Sequence, residues 1–267
     1  MVIDDTRNLL YTLSTNSTVK VYHMRAPATL ECVITRTVSN LQTMCSHIVR
    51  QSEVLNKMEI VALSPIASTE ADHLSLMATT STGCRLYLST TSGGWNSDST
   101  SAPNSMQLRH IRFPPDDGQT QQQSNSTQLQ PYQGGAPLGF NSKFLKETKY
   151  GNRFAPGSFF SFVLKSENDR NQSLFISAPH SGLLGQRESS EPPRYTETGL
   201  TLELVGRIQD MGQVSEPFSA RSEPLGFGNE LATQFDKPLS EYAIITSFGI
   251  ETVRRKRLVD IFAAIVK

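Results

Sequence analysis

The 267-residue sequence predicts an all-β protein with minor α content: a partial β-propeller with an inserted amphipathic helix and a C-terminal helix. Pairs of short β-rich runs around polar turns occur four times, at spacings typical of propellers and other repeat folds. Two of these hairpins have flanking runs that extend them to four antiparallel strands, the composition of a propeller blade. Charged residues make up only 19% of the chain, a proportion that suits β-structure with long polar loops.

The first two predicted units are the most regular. Residues 9–14 and 18–22 form a hairpin, and no strand is recognisable before it. The strands of the second unit are placed at 58–63, 74–79, 85–88 and 106–113. We therefore expect an incomplete first blade and a whole second blade.

The last two predicted units are less regular. The third, which we also expect to be a whole blade, has strands at 158–164, 173–177 and 199–205, with a turn at 180–182. The fourth has strands at 231–235, 242–247 and 250–255 and lacks a closing strand. Polar insertions with too little apolar content to fold are predicted to be disordered near 91–104, 116–150, 186–197 and 212–223.

One insertion between the first two units has a helical period. Its apolar residues fall on one face of a predicted helix: Val38, Leu41, Met44, Cys45, Ile48 and Val49. The opposite face carries uncharged Thr, Ser, Asn and Gln. Such a helix would bind a membrane mainly through its apolar stripe, which favours curved bilayers with packing defects. The alternative is that the stripe packs on the edge of the propeller itself.

A basic run and a second helix end the chain. The basic residues are Arg254, Arg255, Lys256 and Arg257, and the helix that follows has an apolar stripe at Leu258, Ile261, Phe262 and Ile265. These residues are candidates for an interaction or linker surface. The basic run fits either a nuclear-import or nucleic-acid patch or a solvated strand end. We divide the chain into a propeller at 1–256 and the start of a helical linker at 257–267.

The sequence offers no pattern typical of catalysis. Lys plus Arg and Asp plus Glu both number 25, so no net charge attracts nucleic acid or an anionic surface. The five His residues lie on different segments without metal-ligand spacing, and the three Cys residues form no CxxC pair. No carboxylate pair suggests a propeller hydrolase. We expect no enzyme, cofactor, metal, small-molecule substrate or specific nucleic acid, and no membrane-spanning segment of about 18 apolar residues.

Five segments together resemble one protein family. They are residues 3–24 (IDDTRNLLYTLSTNSTVKVYHM), 83–90 (GCRLYLST), 108–115 (LRHIRFPP), 153–163 (RFAPGSFFSFV) and 224–262 (PLGFGNELATQFDKP through RRKRLVDIF). These segments are similar to the large non-FG scaffold nucleoporins of the nuclear pore inner ring, in a fungal version. The resemblance covers nearly the whole chain, with divergence in the polar loops.

The resemblance implies about three to four blades of a seven-bladed propeller that leads into an α-solenoid, and a chain that is a fragment of such a protein. It implies a peripheral place at the nuclear pore complex and nuclear envelope, where the protein supports transport of protein and mRNA. The implied partners are other inner-ring scaffold and linker nucleoporins and the lipids of the pore membrane. In the family, a lipid-sensing helix lies at the position of residues 38–49. The alternative is a cytosolic or nuclear propeller that is only a protein-interaction platform.

Overall fold

The computed structural model describes residues 1–25, 29–49, 53–91, 101–113, 148–163, 170–179, 197–217, 235 and 237–266. It contains four antiparallel sheets, each built from consecutive strands. The first sheet contains β1 (Val2–Asp4), β2 (Leu9–Leu13), β3 (Val19–Arg25) and β4 (Thr29–Arg36). The second contains β5 (Ile60–Pro65), β6 (Leu76–Thr80), β7 (Arg85–Thr91) and β8 (Ser105–Arg112).

The third sheet contains β9 (Thr148–Phe154), β10 (Ser158–Val163), β11 (Asn171–Pro179) and β12 (Glu197–Val205). The fourth contains β13 (Ile208–Gln213), β14 (Ser240–Thr246) and β15 (Gly249–Arg255). The helices are α1 (Val38–Ile48), the single turn α2 (Glu53–Asn56) and α3 (Leu258–Val266). The described residues are therefore mostly β-structure with few helices, as the sequence predicts.

The sheets pack against one another in chain order. Their first strands are neighbours, since β5 contacts β1 on one side and β9 on the other. Along each strand, every second side chain faces a neighbouring sheet. In β3, for example, Val19 and Val21 are buried, while Lys20 between them is exposed. Stacked four-stranded sheets whose first strands lie side by side are the blades of a propeller. The predicted fold class is confirmed.

Among the described residues, three apolar clusters fill the spaces between these blades. The largest joins the first and second sheets with α1, the second joins the third and fourth sheets, and the smallest lies between the second and third. Backbone and side-chain hydrogen bonds cross the same boundaries: Ile60 N donates to Ser17 Oγ (2.9 Å), Thr148 N to Ser81 O (3.0 Å) and Ile208 N to Gln172 Oε1 (2.6 Å). Each blade is thus fastened to the next by both apolar burial and polar contacts.

Two blade predictions are wrong in detail. The first blade does have an opening strand, β1, whose three residues are too few to produce a recognisable alternation. Its outer strand β4 was not predicted either. In the third blade, β11 pairs with β12. Residues 180–196 between these strands, which include the predicted turn at 180–182, lie outside the described residues. The opening strand of that blade is β9, which the prediction missed because TKYGNRF contains few apolar residues and a central glycine.

The last blade also differs from the prediction in one strand. Its first strand is β13, part of which falls in the segment 212–223 that we expected to be loop. The predicted strand at 231–235 lies outside the described residues except for Phe235, which is in a turn. Of the predicted disordered insertions, 92–100, 116–147, 186–196 and 218–223 lie outside the described residues, whereas residues 148–150 are in β9 and Glu197 begins β12. The division at residue 256 stays a prediction, although α3 begins at Leu258.

Candidate interaction surfaces

Helix α1 begins at a well-formed cap and lies across the outer strands of the first two blades. Thr37 is the N-cap: Asn40 N donates to Thr37 Oγ1 (3.3 Å) and Thr37 N donates to Asn40 Oδ1 (3.0 Å), a reciprocal capping box. The helix contacts β4 and β8. Gln42 Nε2 donates to Asn56 O (2.7 Å), which joins α1 to α2. The helix therefore covers the rim of blades one and two.

The apolar stripe of α1 faces this rim. Leu41 is 0% exposed and Cys45 is buried in the core that joins the first two sheets. Burial raises the pKa of the Cys45 thiol to about 12, with nearby Cys84 adding to the effect. Met44 and Val49 are half-buried against the same core. In this arrangement Leu41 and Cys45 contact protein and are not available to lipid.

The remaining residues of the stripe are more accessible. Ile48 is 36% exposed, and Val38 is half-buried. They lie at opposite ends of the helix. Of the two arrangements considered for this helix, the structure has the one in which most of the stripe packs on the propeller. Lipid contact at Val38 and Ile48 stays a prediction. Lipid contact at Leu41 is also a prediction, and it requires the helix to move away from the core.

The basic run is partly engaged within the chain. Arg254 pairs with Glu241 (3.2 Å), and Arg257 pairs with Asp260 (2.7 Å) and donates to Lys237 O (2.8 Å). The hydrogen bond from Arg257 lowers the pKa of the Asp260 carboxyl to about 2. These contacts fit a solvated strand end that also caps α3.

Helix α3 presents its apolar residues to solvent. Its exposed apolar side chains are Leu258, Ile261, Phe262, Ile265 and Val266. The predicted linker surface is thus accessible over the described residues, and its role stays a prediction.

A buried ionic clamp was missed at the sequence level. The loop 66–75 between β5 and β6 accepts three hydrogen bonds from Arg7 of the first blade, at Ile66 O (2.5 Å), Ala71 O (2.7 Å) and Leu74 O (3.0 Å). Arg7 also pairs with buried Asp4 (2.8 Å). The sequence did not predict this contact, because charged residues in short turns carry no periodic signal and the bonded groups are about 60 residues apart in the chain.

The same loop is held from the other side by the third blade. Arg153 of β9 forms an ion pair with Glu70, with Nη1 3.0 Å from Oε2, and both side chains are largely buried. Loop 66–75 therefore ties three blades together. The loop holds the blades in position, because Arg7, Asp4, Glu70 and Arg153 are all bonded to groups within the chain.

A second buried arginine, Arg85, lies at the boundary of the second and third blades. Arg85 is 1% exposed, lies over the Phe159 ring (4.7 Å) and donates to Ser177 Oγ (3.3 Å).

On the same face, Tyr87 contacts His110, their ring centroids being 5.8 Å apart. Burial first, and then two neighbouring arginines, lower the pKa of His110 to about 4. A neutral imidazole beside arginines suits packing between blades.

Over the described residues, no three His, Cys, Asp or Glu side chains are grouped so as to hold a metal ion. No helix among them is long and apolar enough to cross a membrane.

Comparisons with known proteins agree on one family. The family model for the nucleoporin N-terminal region, described as Nup133 N terminal like, matches residues 1–252. Nucleoporin NUP170 of Chaetomium thermophilum is 42% identical over 98% of this chain and 19% of its own length. A probable nucleoporin of Schizosaccharomyces pombe and NUP170 of Saccharomyces cerevisiae are each 26% identical over 100% of this chain, and over 21% and 20% of their own lengths. The chain thus spans about a fifth of the length of these relatives.

A solved structure extends the agreement to three dimensions. The crystal structure of the Chaetomium thermophilum Nup170 NTD–Nup53 complex matches with a TM-score of 0.84 and 41% identity, over 99% of this chain and 36% of that chain. Such a score with such identity shows a shared fold and common descent. The resemblance found in the sequence is therefore confirmed: this chain belongs to the nucleoporin family defined by the Nup133-like N-terminal domain.

Proposed function

We propose that this chain is a structural segment of the nuclear pore complex, a scaffold propeller of the inner ring that supports nucleocytoplasmic transport without catalysis. The observation that carries the proposal is the match to fungal NUP170 along nearly the whole chain in both sequence and structure. A rigid stack of blades that presents its outer rims is suited to holding several partners at once.

The proposed partners are other nucleoporins. The solved relative was crystallised with Nup53, and 41% identity over the shared region supports a Nup53-type linker nucleoporin as a partner of this chain too. Other inner-ring scaffold nucleoporins complete the proposed set. The proposed location is the nuclear envelope at the pore, peripheral to the membrane.

The test is a replacement in a living cell. The segment of Saccharomyces cerevisiae NUP170 that aligns with this chain is exchanged for residues 1–267, and the chimera carries a fluorescent tag. We expect a nuclear-rim signal like that of the parent protein. Co-purification with the yeast Nup53 protein is measured in the same strain.

Two controls make the result interpretable. A chimera with the segment deleted reports what the rest of NUP170 does alone, and one with an unrelated propeller segment reports whether any β-domain suffices. The proposal is wrong if the chimera accumulates to the parent level, yet gives no more rim signal or co-purification than the unrelated propeller.

A second proposed activity is contact with the curved pore membrane through α1. What supports it is the uncharged polar face of the helix together with Ile48, which is 36% exposed at the end of the stripe. Because Leu41 and Cys45 are in the core, membrane contact would take one of two forms. Either the helix touches lipid only near Ile48, or it leaves the rim when lipid is present.

Flotation with small and large neutral liposomes tests the activity. Ile48→Asp adds a charge at the accessible end of the stripe, and His47→Asp adds the same charge to the neighbouring exposed position. We expect flotation with small vesicles that Ile48→Asp reduces and His47→Asp preserves. Equal recovery of every form in the unbound fraction would remove membrane contact from the proposed function and leave protein binding.

A further inference from the structure

The turn between β14 and β15 places an aromatic side chain at the surface of the propeller. Ser247 and Phe248 form this two-residue turn, and the Phe248 side chain is 74% exposed. The corresponding turns of the first two blades, at 14–18 and 81–84, contain no large apolar side chain. A single exposed apolar side chain is ordinary on a protein surface, and its surroundings decide whether it marks a contact.

The ring of Phe248 is held in place by the connection between the third and fourth blades. Gly206, between β12 and β13, has a φ of +95°, and a Cβ at this position would lie 2.6 Å from Phe248 Cδ2. Glycine therefore lets the inner edge of the ring rest on the backbone. Ser247 N donates to Arg207 O (2.9 Å), and Arg207 N donates to Ser247 Oγ (3.0 Å). The ring consequently has a fixed base and an exposed outer part.

Two basic residues flank this ring. Arg207 and Arg170 are both exposed, and Gly206 N donates to Arg170 O (2.6 Å), which places residue 170 beside the connection. Strands rise about 3.3 Å per residue, so an acidic residue three positions along a strand lies about 10 Å away. The nearest acidic residues along these strands are at that spacing: Glu203, Asp210 and Glu251. We call Phe248, Arg170 and Arg207 together the aromatic–basic tip.

The aromatic–basic tip lies on the same face of the propeller as the start of α1. In each four-stranded blade, the third strand begins beside the end of the fourth, as the pairs Val19–Arg36 and Asn171–Val205 show. Helix α1 begins after the first of these strand ends, and the connection at the tip follows the second. A flat surface that approaches this face therefore meets both α1 and the tip.

We propose that the aromatic–basic tip is a second membrane-contact site, in which Phe248 enters the bilayer interface and Arg170 and Arg207 bind the phosphates of anionic lipids. Apolar side chains enter the boundary between headgroups and acyl chains, and each nearby arginine adds attraction to an anionic surface. A bilayer fits a protruding two-residue turn, whereas peptides bind in grooves or along sheet edges. The inference rests on the proposed membrane contact of this chain. It adds to the uncharged α1 a contact that depends on lipid charge.

Flotation of the whole chain with small liposomes tests the tip. The vesicles contain neutral phosphatidylcholine, alone or with about a fifth of phosphatidylserine. Phe248→Ser should lower the bound fraction about threefold or more on both compositions, because the apolar contact is lost. Arg170→Gln combined with Arg207→Gln should lower it only when phosphatidylserine is present. Thr15→Ala, in the polar turn of the first blade on the same face, should float like the wild type.

A tryptophan probe reports insertion directly. The chain has one tryptophan, so Trp95→Phe together with Phe248→Trp places a single indole at the tip. We expect lipids with brominated acyl chains to quench its fluorescence. In the matched control His73→Trp replaces Phe248→Trp, and no quenching is expected because the exposed loop 66–75 lies at the opposite end of its sheet.

Ile48→Asp is floated in parallel, so that the tip and α1 are judged separately. If Ile48→Asp loses flotation and Phe248→Ser keeps it, the tip is overturned while contact through α1 stands; the reverse result supports the tip and removes α1. Failure of the wild type to float on either lipid overturns both. An indole at the tip that stays unquenched while the protein floats also overturns the proposal. Unchanged flotation of Phe248→Ser with reduced co-purification of the yeast Nup53 protein would assign the tip to protein binding instead.

Discussion

The packing of α1 on the propeller rim can be tested by the substitution Leu41→Ala. Leu41 is 0% exposed and lies in the largest apolar core, which joins α1 to the first two blades. Truncating a buried leucine removes its transfer free energy and leaves a cavity, which together cost about 2 to 5 kcal/mol. Because a helix on the rim can settle partly into the space, we expect the free energy of unfolding to fall by about 3 kcal/mol.

Urea unfolding followed by far-UV circular dichroism measures the loss. The slope of the unfolding free energy against urea should not change, because the surface exposed on unfolding is nearly the same. Ile48→Ala is the matched comparison on the same stripe: its side chain is 36% exposed, so the cost should be about 1 kcal/mol. Ser39→Ala on the exposed polar face should change stability by less than about 0.5 kcal/mol.

The order of the three losses decides the interpretation. If Leu41→Ala costs less than about 1 kcal/mol, and no more than Ile48→Ala, then α1 does not rest on the rim in solution. The helix would then be free to present its whole stripe, and membrane contact through all six predicted positions would gain support. A large loss for Leu41 with a small one for Ile48 supports the helix as a rim cover.

Two further predictions concern ionisable groups between blades. Glu70→Ala removes the carboxylate that pairs with buried Arg153, and it should lower the unfolding free energy by about 3 to 5 kcal/mol. Adding Arg153→Met to Glu70→Ala should recover part of that loss. If thermal unfolding shows no recovery in the double variant, the clamp is contradicted. The pKa of His110 falls from 6.5 to about 4 on folding, so the unfolded chain binds the proton first as the pH drops. Stability due to the neutral ring is present above pH 6.5 and is lost as the pH falls towards 4. His110→Asn should flatten urea midpoints across that interval; an unchanged pH profile would refute this cause.

Local patterns were sufficient for most elements of the fold. The β-branched and aromatic runs of β2 and β3, and of β14 and β15, predict hairpins because two strand-like runs are separated by a short turn. The apolar stripe from Val38 to Val49 predicts α1 within one residue of its observed end at Ile48. Two of the missed strands lack such patterns: β1 has three residues, and β9 has few apolar ones.

Long-range pairing was harder to predict for a related reason. β11 pairs with β12, but the residues between them separate the two strands by far more than a hairpin turn. The sequence shows which residues favour strands, whereas the choice of partner depends on the blades that pack around them. The first strand of the last blade was misplaced for another reason: β13, IQDMGQ, contains only two apolar residues and so gives a weak strand signal.

The sequence by itself determined the family, the blade architecture and the two amphipathic helices, because these follow from side-chain periodicity and long similar segments. Only the tertiary structure decided which surface each helix meets. The stripe on α1 has the same spacing whether it faces lipid or protein, so its burial at Leu41 depends on the neighbouring outer strands. The clamp around loop 66–75 was likewise decided in three dimensions. Arg7 and Arg153 bond to backbone and carboxylate groups that are distant in the chain.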